Sequence, residues 1–253
     1  MPKNINSAYR IREILNIAKT KQDKSLAHEV WADIFQIDEQ DQHKKNVAIS
    51  RCLADLHDEV EFVRSEMTKL GFTENLYSSS LNKCNAVFAV QSLMGTWQAP
   101  KQQITPDVPV ALGFCSEILP NEEDLIDEDS LDELKKMASD LRECLVSSEL
   151  PIYTKQIIEK HLRKIEEAIT KYKAVGAKAL EEVMQSAYGE VIASEGIFEE
   201  ARGSKELSKL SAMWQKTKSV LDGVASTNKR LGGIQGMAEK GQKVIEFLEN
   251  INV

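Results

Sequence analysis

Apolar residues in this chain recur at three- and four-residue intervals over most of its length. Between residues 41 and 70, Ile49, Leu53, Leu56, Val60, Val63, Met67 and Leu70 alternate four and three apart. Such a row lies on one face of an α-helix, which at 1.5 Å per residue would be about 40 Å long. Gly71 is placed to end it, because glycine accepts the left-handed conformation that closes many helices. A seam of this length suits either the interior of a bundle or a coiled coil with a second chain.

A second patterned region spans residues 130–172. Leu131, Leu134, Ala138, Leu141 and Leu145 form one row; Ile158, Leu162, Ile165, Ile169 and Tyr172 form another. Residues 147–151 (Ser-Ser-Glu-Leu-Pro) leave room only for a reversal, which predicts an antiparallel αα-hairpin. Ser130 followed by Glu133 reads as a capping box at its start.

The remaining segments fill in around these two. Ala8, Ile11, Leu15 and Ala18 predict a short helix, and Val30, Trp31, Ile34 and Phe35 predict another with Ser25 as its N-cap. Residues 73–97 have a looser helical pattern. Four of the six prolines (Pro100, Pro106, Pro109 and Pro120) then interrupt the chain, although residues 108–119 are apolar enough for one short buried helix. An acidic run through Asp132 and Glu133 follows. Leu180, Val183, Met184, Ala187, Val191 and Ile192 predict a helix over residues 177–194. Leu207, Leu210, Trp214 and Leu221 predict one that begins at Ser204.

The expected fold is therefore all-α: a helical bundle of about eight helices built from antiparallel αα-hairpins, with a proline-rich irregular stretch near the middle. Residues 1–99 form an N-terminal helical region, 100–129 a proline-rich and acidic connector, and 130–253 a C-terminal bundle. Composition agrees with this reading, since glycine and proline together number 18 in 253 residues, too few for a sheet with many turns.

Charge and chemistry narrow the function without naming it. A net charge of −8 argues against a nucleic-acid partner. The first residues lack a basic stretch followed by an apolar core, and no window holds 18 consecutive apolar residues. Neither a secretory signal nor a membrane span is expected. Cys52, Cys84, Cys115 and Cys144 are dispersed, which suits buried thiols in a reducing cytosol.

The histidines His28, His43, His57 and His161 form no His-x-x-x-His or Glu-x-x-His pair, so no helical metal site is expected. His57, with Glu61 four residues on, and His161, flanking an apolar row, are the histidines with any claim to chemistry. Residues 124–133 lack the glycine and ligand spacing of a calcium loop. No phosphate-binding glycine motif and no nucleophile elbow is present, and no cofactor, small-molecule substrate or catalytic residue is inferred.

The end of the chain differs in composition. Residues 204–253 hold eight basic residues against five acidic ones, and residues 223–253 hold five of the twelve glycines, with Gly232 and Gly236 at a spacing that lets helices approach closely. Three readings follow. The first is a non-catalytic cytosolic interaction or regulatory protein, acting on a protein partner or by self-association. The second is a membrane-active effector using residues 204–253 on an anionic surface. The third is an enzyme with a site of dispersed residues.

Overall fold

The computed structural model describes residues 4–224, except Leu125, together with Glu246. These residues are all-helical, with no strand and one isolated bridge, Leu26 to Thr96. They hold eleven α-helices, two of them only five residues long. The chain divides into two compact units: Met1–Glu122 with Lys173–Gly176, and Glu123–Tyr172 with Ala177–Val253. The glycine-rich stretch from 225 onward, including the Gly232–Gly236 pair, lies outside the described residues apart from Glu246.

The first unit contains α1 (Ser7–Thr20), α2 (Ala27–Phe35), α3 (Gln42–Lys69), α4 (Ser78–Val87), α5 (Gln98–Gln102) and α6 (Asp107–Ile118). The long helix α3 runs through its centre. Ile49, Leu53, Leu56, Val60, Val63 and Met67 are all buried by the unit's own helices, as α1, α2, α4 and α6 pack against it. The seam is thus taken up within one chain, except for Leu70, which stands at the C-cap and is exposed. Asp41 caps α3 by accepting from the His43 and Lys44 amides. At its other end Gly71 has φ +79, with Phe72 N–H donating to the Met67 carbonyl and Gly71 N–H to that of Thr68. These two bonds form a Schellman closure.

Ser25 does not cap α2. Leu26 holds the N-cap position, and the first helical amide, Ala27 N–H, donates 2.9 Å to the Gly95 carbonyl. Ser25 instead accepts the Trp97 amide through its own carbonyl at 2.8 Å. Backbone from residues 95–97 supplies what a serine hydroxyl would have supplied, so the cap is a long-range contact. It seats Trp97 against Trp31, whose ring also meets Phe35 and Phe88. Trp97 Nε1 donates to the Ala18 carbonyl and completes the aromatic core.

The proline-rich stretch folds into α5 and α6 with a break between them. Pro100 and Pro109 each sit in the first turn of a helix, where the missing N–H has no intrahelical acceptor to lose. The short helix expected over residues 108–119 is α6, which buries Val108, Leu112 and Cys115 but leaves Val110 and Phe114, expected inside, exposed.

The second unit contains α7 (Glu128–Val146), α8 (Ile152–Val175), α9 (Lys178–Ala193), α10 (Glu195–Glu199) and α11 (Lys205–Val224). Residues 173–176 at the end of α8 are counted with the first unit. Both predicted rows are buried, except Leu131, which is half-buried. Their described partners reach beyond the hairpin turn. Helix α7 lies along α11, with Glu133 paired to Lys216 and the Asp140 carbonyl accepting from Lys209 Nζ at 3.1 Å. Helix α8 lies beside α9, with Lys164 Nζ 2.6 Å from Glu190. Both pairs run antiparallel.

The α7 cap is Asp127 rather than Ser130. One Asp127 carboxylate oxygen accepts the Ser130 amide at 2.7 Å and the other its hydroxyl at 2.8 Å, so the helix starts almost a full turn earlier. A charged acceptor facing the helix N-terminus makes a stronger cap than a hydroxyl does. The predicted reach of Glu133 back to the cap is replaced by its pairing with Lys216.

Candidate functional site

Of the sequence-named histidines, His57 is exposed on α3 and its Nδ1 lies 3.0 Å from Asn85 Oδ1. Asn85 in turn donates to Glu61, which also accepts from Arg64. Arg64 reaches Ser78 and Asn82 on α4. Beside this surface chain lies an open groove of about 590 Å³ lined by Asn75, Ser78, Ser79, Asn82, Lys83, Ala86 and Gln103. Its cation, Lys83, is neutralised by Asp107 at 2.8 Å. The groove offers amides and hydroxyls but no activated nucleophile.

His28 Nδ1 lies 3.2 Å from the Leu93 carbonyl and links α2 to the turn at Val90–Met94. Cys52, Cys84 and Cys115 are buried and Cys144 is half-buried, all as free thiols. Burial pushes the Cys84 thiol up to about 12 and that of Cys115 to about 11, far from the thiolate that reactive cysteines need.

A buried ionic cluster in the first unit has no counterpart in the sequence motifs. Arg10 Nη2 lies 2.7 Å from Glu122 Oε2, 3.2 Å from Glu59 Oε2 and 3.3 Å from Ser7 Oγ. Glu122 also accepts the Ser7 amide and hydroxyl, placing an anion at the N-terminus of α1. Asn6 completes the clamp. Its Oδ1 caps α1 at Tyr9 N–H, while its Nδ2 donates to the Ser116 and Leu119 carbonyls. The two carboxylates hold α3 and the end of the α6 segment onto α1. Their polar atoms face one another, which is the arrangement of a structural clamp.

Within the acidic run, Glu122 and the neighbouring Glu123 are both buried. Glu123 Oε2 accepts the Ala177 amide at 2.5 Å, inside the second unit. The boundary between the units thus falls between two inward-facing glutamates, each bonded within its own unit.

In the second unit four helices converge on His161. The ring is 0% exposed, with Phe198 of α10 and Trp214 of α11 both edge-on at 5.8 Å. Glu190 of α9 places Oε2 3.9 Å from Nε2. Neither imidazole nitrogen has a hydrogen-bond partner among the described residues, and neither does Trp214 Nε1. Burial lowers the imidazole to about 4, outweighing Glu190, and it is neutral at pH 7. Partial burial raises the Glu190 carboxyl, but Lys164 and Lys160 outweigh that and hold it below the ordinary glutamate range. Among the described residues no three His, Cys, Asp or Glu side chains form a metal-binding group.

One exposed stripe in the first unit is apolar at its centre. Helix α6 exposes Asp107, Val110, Phe114 and Glu117 at spacings three and four apart, which places them on one stripe. Val110 is 71% exposed and Phe114 37%. The Phe72 ring meets Phe114 edge-on at 5.7 Å and widens the patch. Arg12 lies against Gly113 at its side, already paired with Glu13.

Glu59 belongs to no sequence motif, although it occupies an apolar row with Ile49, Cys52, Leu56 and Val63. His161 similarly sits in the row Thr154, Ile158, Ile165 and Ala168. A polar residue in phase with an apolar row was the available signal. The α6 stripe gave none, because exposure of Val110 depends on what the neighbouring helices cover. Comparison with family models, curated proteins and solved structures finds no match for this chain.

Proposed function

We propose that this chain is a non-catalytic helical interaction protein that acts through protein–protein contacts in a reducing compartment such as the cytosol. The observation that carries the reading is the α6 stripe, where Val110 and Phe114 stay exposed beside Phe72 although α6 is otherwise packed into the unit. Apolar surface gathered at one place marks an interaction site more often than scattered residues do. The free cysteines support the reducing compartment.

Glu117 closes one end of the stripe, and Asp107, paired with Lys83 at 2.8 Å, closes the other. Two copies set stripe to stripe in parallel would bring their Glu117 carboxylates together, which disfavours that pairing. A partner helix with basic residues flanking its apolar positions meets no such conflict.

The test compares the wild-type chain with Val110→Lys/Phe114→Lys as baits in lysate of the native cells. Val110 is 71% exposed, whereas Phe114 is 37% exposed and packs against Phe72, so helicity should hold with a modest fall in melting temperature. The expected result is a protein retained by the wild type and lost by the variant; identical retained sets would refute the reading.

A further inference from the structure

His161 has no use in the contact surface, yet it occupies the most restrictive position in the second unit. Three helices besides its own close over it: Glu190 comes from α9, Phe198 from α10 and Trp214 from α11. The charges acting on the ring are Glu190 on α9 and Lys160 and Lys164 on its own helix; α10 and α11 present aromatic rings instead. We propose that His161 is an acid-sensitive latch, whose protonation releases the packing of α9, α10 and α11 against α8 while the first unit stays folded.

The geometry supplies the reason. A neutral imidazole fits among Phe198 and Trp214 as an apolar ring. An imidazolium has two N–H donors. Glu190 Oε1 is engaged by Lys160 at 2.9 Å and Lys164 at 2.6 Å, and its Oε2, itself without a hydrogen-bond partner among the described residues, stands 3.9 Å from Nε2, beyond hydrogen-bond distance. Nδ1 meets no acceptor among the described residues, so in the closed packing both donors lack a hydrogen bond, and burying the charge costs stability. Opening the unit lets water solvate both.

The sign follows from linkage. The closed state holds the imidazole at about 4, against 6.5 when open, so the open state binds the proton more tightly. Stability is full above pH 6.5 and declines as pH falls toward 4. Between pH 7 and pH 5 the opening equilibrium should rise about 20-fold.

Amide hydrogen exchange of the full chain, corrected for intrinsic chemical exchange, reads this directly. Wild-type amides of α8, α9 and α11 should open about 20-fold more at pH 5 than at pH 7, and those of α1 and α3 should change far less. In His161→Leu the pH-dependent rise in the second unit should fall to a few-fold or less. Equal rises in wild type and variant would overturn the proposal. If His161→Leu does not fold, NMR titration of the wild-type His161 ring decides: a ring that stays neutral until the second unit opens supports the latch, and an ordinary titration near 6.5 in the closed protein overturns it.

Discussion

Replacing Arg10 with methionine tests whether the clamp of the first unit is a dry ionic cluster. The guanidinium is 7% exposed and serves Glu59 at 3.2 Å and Glu122 at 2.7 Å. Methionine fills much of the same volume but leaves two carboxylates facing each other in the interior. Removing one partner of a buried ion pair costs about 3–5 kcal/mol, because the charge left behind is uncompensated. For a unit of this size each kcal/mol moves the thermal midpoint by roughly 3–5 °C.

The measurement should follow the first unit alone. Trp31 and Trp97 lie in that unit and Trp214 in the other, so a Trp214→Phe background makes tryptophan fluorescence a local probe during urea unfolding. Arg10→Met should then lower the first unit's stability by about 3–5 kcal/mol. Adding Glu59→Gln should recover at least about 1 kcal/mol of the deficit, since contacting charges do not act additively. A loss below about 1 kcal/mol, with no coupling to Glu59, would show the cluster to be solvated and the clamp argument to be wrong.

Other expectations are smaller and independent. Gly71→Ala should cost about 1–2 kcal/mol, because a Cβ there meets nothing within 4 Å and backbone strain at φ +79 is the whole penalty; a thermal melt unchanged from wild type would contradict this. Asp127→Ala should lower the melting temperature of the second unit more than Ser130→Ala does, and the reverse order would restore serine as the cap. The hydrogen bonds from Ser130 hold the Asp127 carboxyl below its ordinary value, so the cap's contribution is full above about pH 4 and fades as pH falls through that lowered value; the wild-type excess over Asp127→Ala should shrink accordingly in acid melts. In native protein at pH 8 a thiol reagent should label Cys144 quickly and Cys52, Cys84 and Cys115 only after unfolding. Rapid labelling of Cys84 would contradict its burial.

The elements whose cause is local are legible in the amino-acid pattern. The α3 row carries its own period, its own glycine stop and its own boundary, and the residues of both rows in 130–172 are buried almost throughout. What escaped was set by distant parts of the chain. The start of α2 is completed by the Gly95 carbonyl rather than by Ser25, and no local pattern reports a partner some 70 residues away. Asp127 displaced Ser130 because both residue types cap well and three positions separate them. The turn at 147–151 pointed to a hairpin; Arg142 of α7 pairs with Glu166 of α8 across it, while other described contacts set α7 along α11 and Lys164 of α8 against Glu190 of α9. The candidate surface was the least legible. Val110 and Phe114 look like core residues in sequence, and only the arrangement of α1, α3 and α4 around α6 leaves them outside.

The central claim is that the α6 stripe is a contact face for another protein, and amide exchange on the wild-type chain with its retained partner bound tests it most directly. Protection confined to residues 107–117 and to the turn carrying Phe72, absent in Val110→Lys/Phe114→Lys, is the result this account expects. Protection elsewhere, with the α6 stripe exchanging as in the free protein, would contradict it.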